Sequence, residues 1–217
     1  NGYGAKLTNI FSEEFIVETA DARAGKRYRQ VFESNMTVKR EPELEDYDGD
    51  DFTRITFRPD LGKFAMESLD DDIVSLMTKR VYDIAGSTDR RCGVRLNGKL
   101  LPVRTFEDYV ALYPSDLDGV APPAIWERCD EHWEVAVGIA GGGFEQVSFV
   151  NNINTARGGT HVAHVTEQLV SAVSAAVQAK NKNGLEIKPA IVKSHLRVFV
   201  NAMVANPAFD SQTKEAL

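Results

Sequence analysis

A chain of 217 residues with 43% hydrophobic and 26% charged positions has the balance of an ordinary globular protein, enough for one large domain or two small ones. A net charge of −7 argues against a surface that grips DNA all over, while local contact through a few basic residues stays open. No apolar run approaches the length that crosses a bilayer, and Cys92 and Cys129 form neither a CxxC pair nor a disulfide framework, which points to a reducing compartment. The chain opens at Asn1-Gly2-Tyr3-Gly4, with no initiator Met, signal peptide or basic leader, so it is expected to be a piece of a longer protein.

Residues 1–11 join glycines to a short apolar stretch and read as a Gly-rich loop entering a helix. Strands are expected over 15–19 and 28–32, with a turn near Gly25. Residues 39–51 read as a charged connection, and the alternation of 52–57 marks a third strand closed by Pro59. The spacing of Ile73, Leu76, Met77 and Val81 predicts a helix over 68–85, with Asp70 to Asp72 in its first turn and Gly86 as its stop. Asn97-Gly98 between short apolar runs predicts a hairpin. A short helix near 106–112 and a loop carrying Pro114, Pro122 and Pro123 follow.

Strands over 133–140 and 144–150 are expected to pair as a hairpin around Gly141-Gly142-Gly143. Val162, Val165, Leu169, Val173 and Val177 keep helical spacing and predict a long helix over 161–180, capped by Thr160. Gly184 and Pro189 break the next stretch, residues 192–205 read as a buried segment helical in its second half, and Asp210 or Ser211 caps a last helical turn. Strands and helices mix without strict alternation, which favours an α+β class of sheets covered by helices.

Three stretches could carry chemistry. Asn1-Gly2-Tyr3-Gly4-Ala5-Lys6 leads glycines into a helix, where backbone N–H groups can approach a phosphate; it also fits a plain flexible loop. Residues 151–161, with three Asn, two Gly and Thr160, read as a tightly specified turn at a strand exit. Ser211-Gln212-Thr213-Lys214 presents Gln and Lys two apart, able to reach one ligand or to sit exposed at a helix start. Other patterns fail. Asp46 to Asp50 resembles a calcium loop, but glycine stands at the fourth position instead of the sixth and Phe57 at the twelfth. His161 and His164 lie one helical turn apart with no further ligand nearby, which favours cap and surface roles. Lys180, Lys182 and Lys188 form a short basic loop that could touch phosphates or simply solvate a helix end.

The three stretches occur together and in a definite order: residues 1–6, then Ser148 to Thr155 with Gly158-Gly159-Thr160-His161, then Asn206 to Lys214. The set resembles the type IIA DNA topoisomerases, in their eukaryotic form more than bacterial gyrase. The likeness runs through essentially the whole chain, including Pro59-Asp60-Leu61 and residues 69–86. It implies an α+β architecture: the C-terminal part of a Bergerat-type ATP-binding α/β sandwich over 1–100, then a transducer domain over 101–217, a ribosomal-protein-like sheet with helices on one face.

By the same resemblance Asn1, Gly2, Tyr3, Gly4, Ala5 and Lys6 match the lid that wraps the ATP phosphates. Thr53 matches a threonine near the adenine. Gln212 and Lys214 match a transducer loop that reaches the γ-phosphate, making them the implied catalytic pair. Lys180 and Lys182 fall in a loop that faces a DNA cavity. The implied cofactors are ATP and Mg2+, with the metal-holding asparagine and the water-activating carboxylate upstream of this chain, so these residues alone are expected to be inactive and to hold no metal. The implied partners are double-stranded DNA and, in the parent enzyme, a second copy forming a homodimer, with no membrane. The implied location is the nucleus, an organelle being the alternative. A gyrase B-type or mismatch-repair-type ATPase, or a non-catalytic wall of a DNA cavity, is the competing reading.

Overall fold

The computed structural model of the chain describes residues 2–114, 124–181 and 186–217. Expectations resting on Asn1, Pro122, Pro123, Lys182, Asn183 and Gly184 lie outside the described residues. By compactness the chain separates into Asn1–Val74 and Ser75–Leu217.

In the first unit, helix α1 (Tyr3–Ile10) precedes strands β1 (Ser12–Asp21), β2 (Lys26–Glu33), β3 (Val38–Lys39), β4 (Glu43–Asp46) and β5 (Phe52–Pro59). The helix starts at Tyr3, so the expected loop is confined to Gly2 and Tyr3 to Lys6 form the first helical turn. The sheet runs β3-β2-β1-β5, with β4 also paired to β2, so the charged connection contributes a strand of its own. A tight turn joins β1 to β2 because Asp21 Oδ1 accepts from the backbone N–H of Arg23 and Ala24 at 2.9 and 3.0 Å. Phe15, Ala20 and Ser12 are buried. Glu18 is buried beside them, and the Arg27 guanidinium donating at 2.6 Å holds its carboxyl below the usual range, with Arg54 adding to the effect.

Helix α2 (Asp71–Ser87) begins where Asp70 Oδ1 accepts from the N–H of Ile73 at 2.9 Å. Leu76 and Met77, expected on its buried face, are 49% and 48% exposed. The core contacts come instead from its last turns, where Asp83, Ala85, Gly86 and Ser87 are buried. Gly86 is therefore not a stop but a packing point. A Cβ there would come within 2.4 Å of the Tyr109 Cβ, closer than such atoms approach.

The predicted hairpin forms as β6 (Arg95–Leu96) and β7 (Lys99–Leu100), with Asn97 and Gly98 both at positive φ. Helix α3 (Phe106–Val110) follows a capping box in which Thr105 and Asp108 satisfy each other's backbone N–H. Strands β8 (Ile125–Arg128), β9 (Trp133–Ile139), β10 (Glu145–Val150), β11 (Ile153–Asn154) and β12 (Leu196–Ala202) make the second sheet, in the order β11-β10-β12-β9-β8. Two expectations fail here for one reason. β9 and β10 do not pair as a hairpin, and residues 196–202 are not helical, because β12 lies between them, antiparallel to β9 and parallel to β10. Buried on both faces, β12 reads as an apolar run broken only by Arg197 and Asn201, whose spacing of four fits a helix as well as a strand.

Alternation along β12 divides the core. Phe199 joins Phe106, Tyr109, Phe149 and Ala85 on one face. Val198, Val200 and Ala202 meet Val162, Val165 and Val192 on the other. Helices α4 (Thr160–Lys180) and α5 (Pro189–Ser194) supply that second layer together, and Pro189 sits at the start of α5, where its missing N–H costs nothing. On the first face a buried carboxylate, Asp83, accepts from Tyr109 Oη at 2.7 Å and from Lys79 Nζ at 2.8 Å. Burial first, then the bonds to Tyr113 and Asp83, push the Tyr109 phenol well up.

Gly86→Ala is expected to lower unfolding stability by about 1–3 kcal/mol through forced displacement of Tyr109. Urea melts of the two chains would show it; an unchanged midpoint would mean that α2 and α3 do not pack this closely.

Candidate functional site

The two candidate stretches of the second unit, 151–161 and 206–214, fold into one object. β10 ends at Val150, and Asn151 and Asn152 follow at φ 50° and 64°, a left-handed pair that asparagine tolerates better than most residues. The chain thereby reverses and β11 pairs back on β10. The Asn151 amide then clamps the chain leaving β12. Its Oδ1 accepts from the N–H of Val204 at 2.8 Å and its Nδ2 donates to the Val204 carbonyl at 2.9 Å.

Beneath this turn runs a buried polar chain. Ser148 Oγ and Thr155 Oγ1 lie 2.6 Å apart, and Thr155 Oγ1 and His161 Nε2 lie 2.9 Å apart. His161 is 3% exposed, so it is neither the cap nor the surface group that its spacing from His164 suggests. Burial pushes its imidazole down to about 4. No group of three or more potential ligands able to hold a metal occurs among the described residues.

Residues 215–217 lie along 157–160 like a short parallel strand. Arg157 N–H donates to the Glu215 carbonyl at 2.9 Å, Leu217 N–H to Gly158 at 3.2 Å, and Thr160 N–H to Leu217 at 3.1 Å. The last of these satisfies one N–H at the start of α4, whose N-cap is Gly159; Thr160 is the first helical residue and its side chain is not the cap. Gly159 has φ 140°, and a Cβ there would stand 2.4 Å from the Leu217 carbonyl oxygen. An Arg157–Asp210 ion pair at 3.2 Å and the bond from Asp210 N–H to the Ala216 carbonyl at 3.1 Å tie down the other side.

Between these anchors, Ser211 to Lys214 form a single turn and not the expected start of a helix. Lys214 N–H closes it on the Ser211 carbonyl at 3.1 Å, and Ser211 Oγ and Thr213 Oγ1 lie 2.8 Å apart. Lys214 has φ 58°, which a helix would not permit. Gln212 is exposed. Lys214 Nζ stands 5.9 Å from the centre of the Phe209 ring and has no carboxylate partner among the described residues. Such a cation, on a turn fixed from both sides, is free to meet an anion.

The remaining predicted residues lie apart from this turn along the chain. In the first unit, Gly2 at φ 71° leads into α1, whose first turn carries no acidic residue. The backbone N–H groups of Tyr3, Gly4 and Ala5 stand at the head of α1 without intrahelical acceptors, and nothing lies within 4 Å of where a Cβ on Gly2 or Gly4 would stand. Thr53 is on β5, its Oγ1 3.0 Å from that of Thr19 on β1. Lys180 is exposed at the end of α4. Sequence reasoning missed the Asn151 clamp and the Ser148–Thr155–His161 chain. Paired Asn at a strand exit was the available signal for the first, and the second had none, since its members are spread over fourteen positions.

Gly159→Ala is expected to dislodge residues 215–217, read as faster amide exchange at Thr160 and Leu217 with α4 otherwise intact; unaltered exchange would count against this docking. His161 also makes stability pH-dependent. Because its folded value lies below the ordinary one, the unfolded chain takes up the proton first. Stability is then full above about pH 6.5 and falls by up to about 3 kcal/mol as pH drops toward 4. His161→Gln should flatten that acid limb in thermal melts, and an unchanged limb would mean that other groups set it.

The family model described as DNA gyrase B matches residues 105–217. Over 222 residues the chain is 53% identical to DNA topoisomerase 2 of Arabidopsis thaliana, covering 100% of this chain and 15% of that protein. It is 52% identical to DNA topoisomerase 2-beta of Gallus gallus, covering 99% and 13%. The ATPase region of Saccharomyces cerevisiae topoisomerase II matches with a TM-score of 0.90 at 44% identity, over 100% of this chain and 55% of that one. The ATPase and transducer domains of DNA topoisomerase II from Balamuthia mandrillaris match at 0.89 and 42%, over 100% and 55%. The chain thus spans a small part of the curated relatives it matches and about half of the solved ATPase regions. It belongs to the DNA gyrase B family, and its fold is that of the ATPase and transducer domains of eukaryotic-type DNA topoisomerase II.

Proposed function

We propose that this chain is part of the ATP-driven N-gate of a type IIA DNA topoisomerase, an enzyme that passes one duplex through a transient double-strand break in another. The observation that carries the reading is the Ser211–Lys214 turn, held by backbone bonds and by Asn151 through the chain leaving β12, with the Lys214 ammonium unpaired among the described residues. In this reading the boundary near 100/101 separates the nucleotide domain from the transducer. Asn1 to Lys6 supply backbone donors to the phosphates, Thr53 stands near the adenine, and Lys214 with Gln212 contacts the terminal phosphate. The open first turn of α1, free of acidic side chains, suits phosphate on electrostatic grounds.

The chemistry follows from charge. An ammonium that bonds the γ-phosphate favours one position of its domain while the nucleotide is intact and releases it after hydrolysis. The same group stabilises charge gathering on the transferred phosphoryl group. A magnesium ion would neutralise phosphate oxygens. By resemblance the reading assigns its ligands, and the residue that activates water, to positions upstream of these residues. It also takes the working enzyme as a nuclear homodimer on double-stranded DNA, with Lys180 and Lys182 facing the DNA.

In an enzyme carrying this sequence together with the upstream ATP-binding residues, Lys214→Ala should lower kcat for ATP hydrolysis about 100-fold and abolish nucleotide-dependent closure. Unchanged closure and kcat would leave the turn a passive wall of a DNA cavity, the rival reading. The 217-residue chain alone should show no magnesium-dependent ATPase, and measurable turnover by it would overturn the placement of the water-activating residue.

A further inference from the structure

A cavity of about 830 Å3 opens in the second unit between the last turn of α2, the entry to α3 and the ends of β8, β9 and β12. None of residues 211–214 lines it, so it stands apart from the nucleotide reading. Its volume is that of a small-molecule site.

Two side chains that line it are more than nine-tenths buried and carry an oxygen without a hydrogen-bond partner. Ser87 is 6% exposed with Oγ unpartnered, and Asn201, on the central strand, is 9% exposed with Oδ1 unpartnered. Buried oxygens of this kind are costly unless something donates to them. An amide oxygen can only accept, a hydroxyl oxygen can accept, and the buried Trp126 indole N–H can only donate, so the cavity calls for N–H or O–H donors beside one ring acceptor. Glu134 adds a third acceptor, and burial holds its carboxyl above the usual range.

The charges around the cavity cancel. Arg91 is bound to Asp89 at 2.8 Å and Arg128 faces Glu134 at 3.7 Å. Arg90 and Arg104 are balanced by Glu107 and Glu131 in the same lining. No sign of charge is favoured, which selects against an anion or a cation. The Trp126 indole supplies a flat apolar wall.

We propose that this cavity binds an uncharged, planar heteroaromatic molecule bearing N–H donors, its ring against Trp126 and its donors on Asn201 Oδ1 and Ser87 Oγ.

The test titrates the chain with 2-aminopurine riboside, an uncharged ring with an exocyclic amine whose fluorescence falls when it stacks on an indole. Saturable quenching is expected. Asn201→Leu should weaken it about tenfold, the loss of one hydrogen bond. Met203→Trp, at a lining position 46% exposed and therefore tolerant, should fill the opening and weaken binding at least as much, while Met203→Leu leaves it unchanged. Circular dichroism melts establish that each variant is folded, and if Asn201→Leu is not, the Met203 pair decides alone. Absence of saturable quenching would mean that the cavity holds only water and overturn the proposal. So would equal affinity in Met203→Trp, or displacement of the probe by ATP, which would place it in the nucleotide site.

Discussion

The second unit depends on a backbone pairing three residues long. Residues 215–217 exchange hydrogen bonds with 157–160, and that contact is possible only because Gly159 leaves room for the Leu217 carbonyl. Without it the N–H of Thr160 at the head of α4 loses its acceptor, and the segment carrying Gln212 and Lys214 is left to the Arg157–Asp210 ion pair and to Asn151 at its other end. Each member is ordinary: two glycines, a carbonyl, an amide. Their value lies in closing a loop in space from both sides, so that a long flexible lysine side chain starts from a defined point.

The same contact makes three elements share any displacement of the turn. β12 is linked to it through the Val204 bonds of Asn151, β10 through the reversal at Asn151 and Asn152, and α4 through Thr160. The buried Ser148–Thr155–His161 chain stiffens the floor below, joining β10 to the first turn of α4. A polar chain in a core restricts the arrangements available to its neighbours, because each alternative strands a donor or an acceptor. In the gate proposed above, such a stiff coupling would carry a change at the phosphate into the whole sheet.

The sequence carried much of this fold, and its two failures in the second sheet share a cause. Helix α4 was legible because five apolar side chains keep helical spacing over sixteen residues, and the β6–β7 hairpin because Asn97-Gly98 suits a turn with two positive φ angles. The third strand, β5, was legible by its alternation. β12 was not: Leu196 to Ala202 is buried throughout, and its two polar residues, Arg197 and Asn201, stand four apart, a spacing that fits a helix as well as a strand. The partnership of β9 and β10 failed with it, since nearness along the chain suggested a hairpin that only the later strand rules out. At the candidate site, the order of three stretches pointed by resemblance to Lys214 and Gln212, while the turn that carries them is anchored by the Asn151 amide and by backbone bonds whose partners no sequence spacing reveals.

The insertion of β12 has a consequence for how the chain is made. The central strand of the second sheet is nearly the last part of it to be synthesised, and its neighbours β9 and β10 emerge some fifty residues earlier with nothing between them. Until Leu196 to Ala202 arrive, both present unpaired edges and apolar faces, the condition in which nascent chains pair wrongly with one another. Completion of the sheet is thus a late, long-range event, slow by comparison with local helix formation. A growing chain of this kind stays exposed to cellular holding factors until its final strand slides into place.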